Sequence, residues 1–315
     1  MNRAEFVFTL VDYFMKIPQN CINHKGITIE KNNAYSINGP YCKADYYYKD
    51  KLAKKPVLLY IHGGGFVKSD KKYRSSYAKA FADKGYFVYN GNHRLAPLDN
   101  YPTPLFDICD MVRKLEALKD EYNLDLTRIV IGGDSSGGYM TAQFLATQFE
   151  CSLREKLGIP LLDTKISAYL GICSAYNIIN MMKSPTAIMG IGRVTGESFF
   201  GMRIEKDYSN LDKYKYIDYL SPIYFVNKDW CPCVILYSDK DLFCYKQSEA
   251  FIDELEKFGI EYYTCHSKLL IDNHCYQLQL YKGSSKKALK ITFDSLDKIL
   301  DLKNINLSEN LKKVI

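Results

Sequence analysis

Histidine is scarce in this chain. Five occur in 315 residues, at positions 24, 62, 93, 266 and 274, so any proton relay through imidazole has few candidates. Long apolar runs are missing too. No stretch reaches the roughly 18 consecutive apolar residues of a membrane-spanning helix, and no stable membrane association is expected. Neither sign of charge dominates: 42 basic residues face 36 acidic ones, for a net charge of +6. The lysine pairs (Lys54-Lys55, Lys71-Lys72, Lys286-Lys287, Lys312-Lys313) are scattered among acids. A nucleic-acid binder needs a basic stripe, and none is present. No Cys-x-x-Cys pair occurs among the ten cysteines, and Cys231-Pro-Cys233 lacks a second pair with which to hold zinc. Dispersed cysteines in apolar runs read as free buried thiols in a reducing compartment, which points to the cytoplasm. Low-complexity tracts and internal repeats are absent as well.

What is present centres on Ile131-Gly132-Gly133-Asp134-Ser135-Ser136-Gly137-Gly138. The residues before it, Thr127 to Ile131, are short, β-branched and apolar, as in a buried strand. Tyr139 to Phe149 can bury Met140, Phe144 and Leu145 on one face, as in a helix. Ser135 therefore sits at a strand-to-helix bend. The spacing Gly133-x-Ser135-x-Gly137 is that of a nucleophile elbow, in which glycines two residues to either side let strand and helix approach. The helix N-terminus then aims its free N–H groups at the serine. Asp134 reads as a hydrogen-bonded turn residue.

The rest of the chain alternates strands and helices. Residues 4–16 read as a helix ending before Pro18, within an N-terminal helical segment 1–25. Its apolar start, Phe6 to Val11, is brief and flanked by Glu5 and Asp12, which suits an amphipathic helix better than a signal peptide. Strands are expected at Gly26–Glu30, Lys43–Lys49, Pro56–Ile61, Tyr86–Tyr89, Lys165–Cys173, Pro232–Tyr237 and Ile260–His266. Helices are expected over Tyr73–Lys84, about Leu105 to Tyr122, Phe251–Phe258 and Leu289–Leu302. The rhythm breaks between 174 and 219, which reads as a helical insertion. The expected architecture is one α/β domain over 1–315, a mostly parallel sheet with helices on both faces.

His62-Gly63-Gly64-Gly65-Phe66 follows the strand at 56–61, and its glycines can expose N–H groups unobstructed by side chains. Together with Arg94-Leu95-Ala96-Pro97 and Gly133-Asp134-Ser135-Ser136-Gly137-Gly138, it resembles the hormone-sensitive-lipase-like branch of the α/β-hydrolases over roughly residues 40–300. Two departures are small: His93 and Leu98 flank Arg94-Leu95-Ala96-Pro97 where Tyr and Glu are usual, and Ser136 stands where Ala is common. The resemblance implies an oxyanion hole from the amides of Gly64, Gly65 and Ser136, with His62 holding its loop rather than acting as base. It implies a structural role for Asp107. It also implies that the insertion 174–219 forms a cap lining the substrate pocket, with the N-terminal helix near its mouth. Phe66, Met181, Met182, Met189 and Phe199 are the substrate-binding candidates, with Ile188 and Phe200 beside them.

A serine hydroxyl needs a base to take its proton, and the base needs a carboxylate to orient it. In this fold the order is serine, acid, histidine. Only His266 and His274 follow Ser135. His274 lies on a loop after the last strand and is the preferred base, with His266 the alternative at that strand's end. Asp241, before Leu242-Phe243, is the preferred acid, with Asp239 and Asp272 as fallbacks. Asp272 reads as a solvated loop charge. The expected function is hydrolysis of a small, short-acyl carboxylic ester by Ser135, His274 and Asp241, without metal or other cofactor. An amidase, peptidase or deacetylase on the same triad is the near alternative, and a non-catalytic ligand-binding protein the distant one. The expected partner is the ester itself, and a homodimer is left open.

Overall fold

The computed structural model describes residues 2–184 and 190–302. In chain order its elements are α1 (Arg3–Met15), β1 (Thr28–Ala34), β2 (Lys43–Tyr48), β3 (Lys55–Ile61), α2 (Ser75–Asp83), β4 (Phe87–Gly91), α3 (Thr103–Leu118), β5 (Leu124–Asp134), α4 (Ser136–Phe149), α5 (Cys151–Leu157), β6 (Ala168–Ile172), α6 (Ile178–Lys183), α7 (Ile191–Phe200), β7 (Cys233–Ser238), α8 (Gln247–Lys257), β8 (Tyr262–Ser267) and α9 (Gly283–Ile299). The eight strands form one sheet in the order β1-β2-β4-β3-β5-β6-β7-β8. β2 runs antiparallel to both β1 and β4, and all other neighbours are parallel. No helix among the described residues is long and apolar enough to cross a membrane.

The continuous apolar run of β3 follows from burial on both faces. Successive side chains alternate across the sheet. Val57, Leu59 and Ile61 join Phe87, Ile129 and Ile131 on one face, under Ile108 and Leu115 of α3, Phe144 of α4 and Phe251 of α8. Leu58 and Tyr60 join Val88, Val130 and Leu170 on the other, under Phe81 of α2 and Leu296 of α9. Each such aliphatic or aromatic side chain contributes about 1.5–3 kcal/mol on full burial.

Two elements differ from expectation. The first strand lies a few residues further on and is irregular between Glu30 and Asn33. α5 was not anticipated, because its seven residues carry only Leu153 and Leu157 into the core. The insertion folds into α6 and α7, which lie against each other, and α7 lies against α1. Ala4 and Phe8 of α1 meet Val67, Ala96 and Ile191 in a small separate cluster. Asn2 caps α1 through a reciprocal capping box with Glu5, and its side-chain amide donates to Ser198 Oγ of α7 at 2.8 Å.

The chain leaves β3 toward β4 on one side, and β5 enters on the other. That reversal opens a crevice at the carboxyl ends of β3 and β5, where open α/β sheets bind ligands. There the turn after β5 touches the end of β3 backbone to backbone. A Cβ on Gly133 would lie 2.3 Å from the Ile61 carbonyl oxygen, and one on Gly137 would lie 2.2 Å from it. Only glycine fits either position.

Candidate active site

Ser135 stands between β5 and α4 with φ 52° and ψ −121°, a conformation that strains a residue bearing a Cβ. Its N–H donates to the Ile172 carbonyl at 2.8 Å. α4 begins at the next residue, so the helix N-terminus opens toward the serine.

The strain is held by an ion pair one residue back. Arg74 Nε donates to Asp134 Oδ1 and Arg74 Nη2 to Asp134 Oδ2, both at 2.7 Å. Both side chains are buried. Tyr60 Oη donates to Asp134 Oδ1 at 3.0 Å and the Gly63 amide to Oδ2 at 3.1 Å. Burial alone would raise the Asp134 carboxyl, but the guanidinium outweighs it and holds the group below its usual range. One carboxylate thus ties the turn before Ser135 to the glycine loop after β3. Arg74 carries no signal of this role in the sequence: Lys71-Lys72-Tyr73-Arg74 resembles a solvated basic run, and its partner is 60 residues away.

His274 Nδ1 lies 2.8 and 2.9 Å from the two carboxylate oxygens of Asp241. Asp241 is 2% exposed, and its Oδ1 also accepts the amides of Phe243 at 2.9 Å and Cys244 at 2.7 Å. Burial works against the charged form, yet His274 and these amides hold the Asp241 carboxyl below its ordinary value. The contact to Asp241 leaves the other ring nitrogen of His274 free of that carboxylate. His274 and Ser135 line the same cavity, and no hydrogen bond joins them among the described residues. Without substrate such contacts are commonly long.

The fallback residues are engaged elsewhere. His266 Nε2 and Asp239 Oδ1 pair with each other at 2.5 Å, and the His266 ring stacks on Tyr237. Asp272 is not a solvated charge, as the sequence reading expected, but fully buried. It accepts from Ser267 Oγ at 2.7 Å and Ser284 Oγ at 3.0 Å, and its carbonyl accepts from Ser238 Oγ. It ties the His274 loop to the ends of β7 and β8.

The glycine loop after β3 turns through positive φ at Gly64 (129°) and Gly65 (60°). Neither amide donates to an acceptor among the described residues, and Ser136 is the first residue of α4, so its amide has no partner within the helix. The loop is anchored by His62, whose Nδ1 lies 2.7 Å from the Gly63 carbonyl and whose ring stacks on His93. Both histidines are buried. Burial lowers the His62 imidazole, and burial together with the neighbouring His62 pushes His93 down to about 3. Phe8 covers the loop from outside: a Cβ on Gly65 would meet its ring at 2.1 Å. Asp107 is buried and holds Arg94 through the backbone amide at 2.7 Å and Nε at 2.8 Å.

Two spaces flank Ser135. One, of about 30 Å³, is lined by Gly65, Phe66, Ser136, Met181, Ile191, Gly192 and Thr195 among others. The other, of about 440 Å³, runs under α1 past Gly64, Leu10, Phe14, Leu242 and His274. Of the pocket candidates, Phe66 and Met181 line the smaller space. Phe199 instead stacks on Phe66 at 3.9 Å, and Met182 packs beneath α7, where a Cβ on Gly196 would strike its sulfur. Phe199 thus packs between α7 and the Phe66, Tyr101 and Tyr139 rings of the main domain, and Met182 between α6 and α7. Met189, like Ile188, lies outside the described residues. Gly192 and Thr195 were not anticipated, and their only signal was their place in the insertion.

Residues 45–255 match the BD-FAE family model. An Acanthamoeba polyphaga mimivirus protein named as an alpha/beta hydrolase is 26% identical over 215 residues, covering 67% of this chain and 58% of its own. Ethyl acetate hydrolase of Pseudomonas putida is 34% identical over 111 residues, covering 35% of this chain and 34% of its own. The chain thus spans 58% and 34% of the lengths of these two relatives. Esterase B of Lactobacillus rhamnosis superposes with a TM-score of 0.81 at 18% identity, covering 97% of this chain and 96% of that one. The fold is that of the α/β-hydrolases.

Proposed function

The chain belongs to the BD-FAE family, and from that membership and the geometry around Ser135 we propose that it is a serine hydrolase of carboxylic esters. The observation that carries this reading is the clamp of Asp241 on His274 Nδ1 in the cavity that Ser135 also lines. In the proposed reaction Ser135 Oγ attacks the ester carbonyl carbon while the free ring nitrogen of His274 takes the hydroxyl proton. Asp241 fixes the tautomer and stabilises the imidazolium. The carbonyl oxygen becomes an oxyanion facing the Gly64, Gly65 and Ser136 amides, whose lack of other acceptors suits that task. Removing one such donor typically costs about 10²–10³ in turnover. Collapse breaks the bond to the alcohol oxygen, which leaves with the proton from His274. Water, deprotonated by His274, then attacks the acyl-Ser135 ester and releases the acid.

The two unequal spaces support a substrate with a short acyl group and a larger alcohol. One water needs about 10–15 Å³ of such space, so a volume of about 30 Å³ takes only a few heavy atoms, which suits a short acyl group. The space of about 440 Å³ beneath α1 has room for the alcohol portion, and its Leu10, Phe14 and Leu242 favour an apolar one. Ethyl acetate, the substrate in the name of the Pseudomonas putida relative, has the same small acyl group. A p-nitrophenyl ester series from acetate to decanoate tests this reading. kcat/KM is expected to peak at acetate or butyrate and fall steeply beyond. A maximum at octanoate or longer overturns the acyl assignment.

A further inference from the structure

We propose that Cys173, His274 and Cys275 form an inhibitory binding site for a soft divalent cation of the zinc class. The proposal rests on the reading of His274 as the general base, because the ion acts by occupying its imidazole. One ligand atom from each of the three residues lies within 4.8 Å of the other two. A tetrahedral ion with bonds of about 2.3 Å to sulfur sets its ligand atoms about 3.8 Å apart. The side chains therefore need to close by about an ångström or less. Two thiolates and one imidazole are a donor set that zinc takes in preference to magnesium or calcium.

The surroundings fit such a site in three further ways. Cys173 directly follows β6, and its amide is fixed to the Leu236 carbonyl at 2.8 Å. The Cys275 thiol lies 4.0 Å from the Ile172 carbonyl at the same strand end, so the end of β6 brings together one sulfur from the strand end and one from the loop after β8. Neither cysteine is in a disulfide, and the hydrolytic steps use neither. Asp241 on His274 Nδ1 also forms the carboxylate–histidine arrangement that orients an imidazole toward a metal. Access is through the cavity of about 440 Å³ that His274 and Cys275 both line.

Binding exchanges two S–H bonds for two sulfur–metal bonds and adds one nitrogen–metal bond. Two protons go to solvent and nothing is oxidised or reduced. The imidazole so engaged can no longer accept the Ser135 proton, so metal and substrate turnover exclude each other. Asp241, Cys244 and His274 form a second group within the same 4.8 Å limit. It replaces one sulfur by a carboxylate that already serves His274, which makes it the weaker set for a soft ion and a useful control.

The test is a zinc chloride titration of the purified full chain after chelator treatment, read by p-nitrophenyl acetate hydrolysis and by binding of Co²⁺. Wild type is expected to lose activity at micromolar zinc and to regain it with EDTA. The Cys173→Ser/Cys275→Ser variant is read against its own zinc-free rate, because Cys275 also lines the cavity assigned to the alcohol. Losing only a second-shell partner costs about 10–100-fold in metal affinity, so losing two ligands should raise the zinc needed by at least that much. Co²⁺ should give a thiolate charge-transfer band in wild type and none in the variant, whether or not any ester is turned over. If the serine variant does not fold, Cys173→Ala and Cys275→Ala singly carry the same comparison. Equal inhibition of wild type and variant, transfer of the effect to Cys244→Ser alone, or no thiolate band in wild type overturns the site. A wild-type thiolate band in a protein that hydrolyses no ester would retain the metal site and refute the hydrolase reading instead.

Discussion

At the scale of single residues, the two aspartates after β7 separate the account from its nearest rival. Asp241 holds His274, and Asp239 holds His266 at a partly exposed pair. Asp241→Asn is expected to lower kcat by about 10³–10⁴, because the imidazole loses the partner that fixes its tautomer. Asp239→Asn is expected to stay within about twofold of wild type, since exposed pairs contribute little. Steady-state kinetics on p-nitrophenyl acetate decides, and the reverse pattern would move the acid to Asp239. Asp134→Ala leaves Arg74 buried without its carboxylate and should cost about 3–5 kcal/mol in a urea melt. The legibility of these residues was uneven for a physical reason. Ser135, His62 to Gly65 and Gly133 to Gly138 were readable because sharp turns and close backbone contacts demand glycine at fixed spacing. His274 and Asp241 were readable by elimination among five histidines and by chain order. Arg74 and Asp272 were not, because burial and pairing across 60 residues, or with serines on separate elements, leave no local pattern.

At the scale of elements, the inner strands β3, β6 and β7 were readable because they are covered on both faces and so carry apolar runs, whereas the outer β1, largely exposed and polar, was placed a few residues early. The 174–219 insertion was legible only as a break in rhythm. Met181, Met182 and Phe199 look alike in sequence, yet one lines the space beside Ser135, one packs between α6 and α7, and one packs on the main domain through Phe66 and Tyr139. Which face of a short helix meets substrate depends on how α6 and α7 sit against α1, and neither helix is long enough to show a clear apolar stripe. Met181→Ala should enlarge the smaller space and raise kcat/KM for butyrate relative to acetate by about tenfold per methylene accommodated. An unchanged ratio would place the acyl group elsewhere. α1 is expected to matter through Phe8, whose ring rests on Gly65. Phe8→Ala should destabilise by about 3 kcal/mol and lower kcat more than it raises KM, because the loop carrying the Gly64 and Gly65 amides loses its cover. A pure KM effect would make α1 a binding wall only.

At the scale of the whole molecule, stability should depend on pH through groups buried around the site. Both His62 and His93 are depressed in the folded state, His93 to about 3. The unfolded chain takes up those protons near the ordinary value of about 6.5. The contribution of His93 is therefore complete above that value and is lost as pH falls toward 3, by up to about 1.4 kcal/mol per pH unit, and His62 adds a loss in the same direction. Asp134 and Asp241, also depressed, add a further loss below the usual carboxylate range. Melting temperature should fall steadily from pH 6.5 to 4, and a flat profile there would contradict the buried neutral pair. The sheet, the crevice at its carboxyl edge and the paired His274 and Asp241 together make one central claim, that Ser135 is the nucleophile of an ester hydrolase. Its most direct test is the rate of p-nitrophenyl acetate hydrolysis by wild type and by Ser135→Ala of matching melting temperature. The account predicts steady turnover by wild type and a loss of about 10⁴-fold or more in the variant; a folded Ser135→Ala that retains wild-type turnover would contradict it.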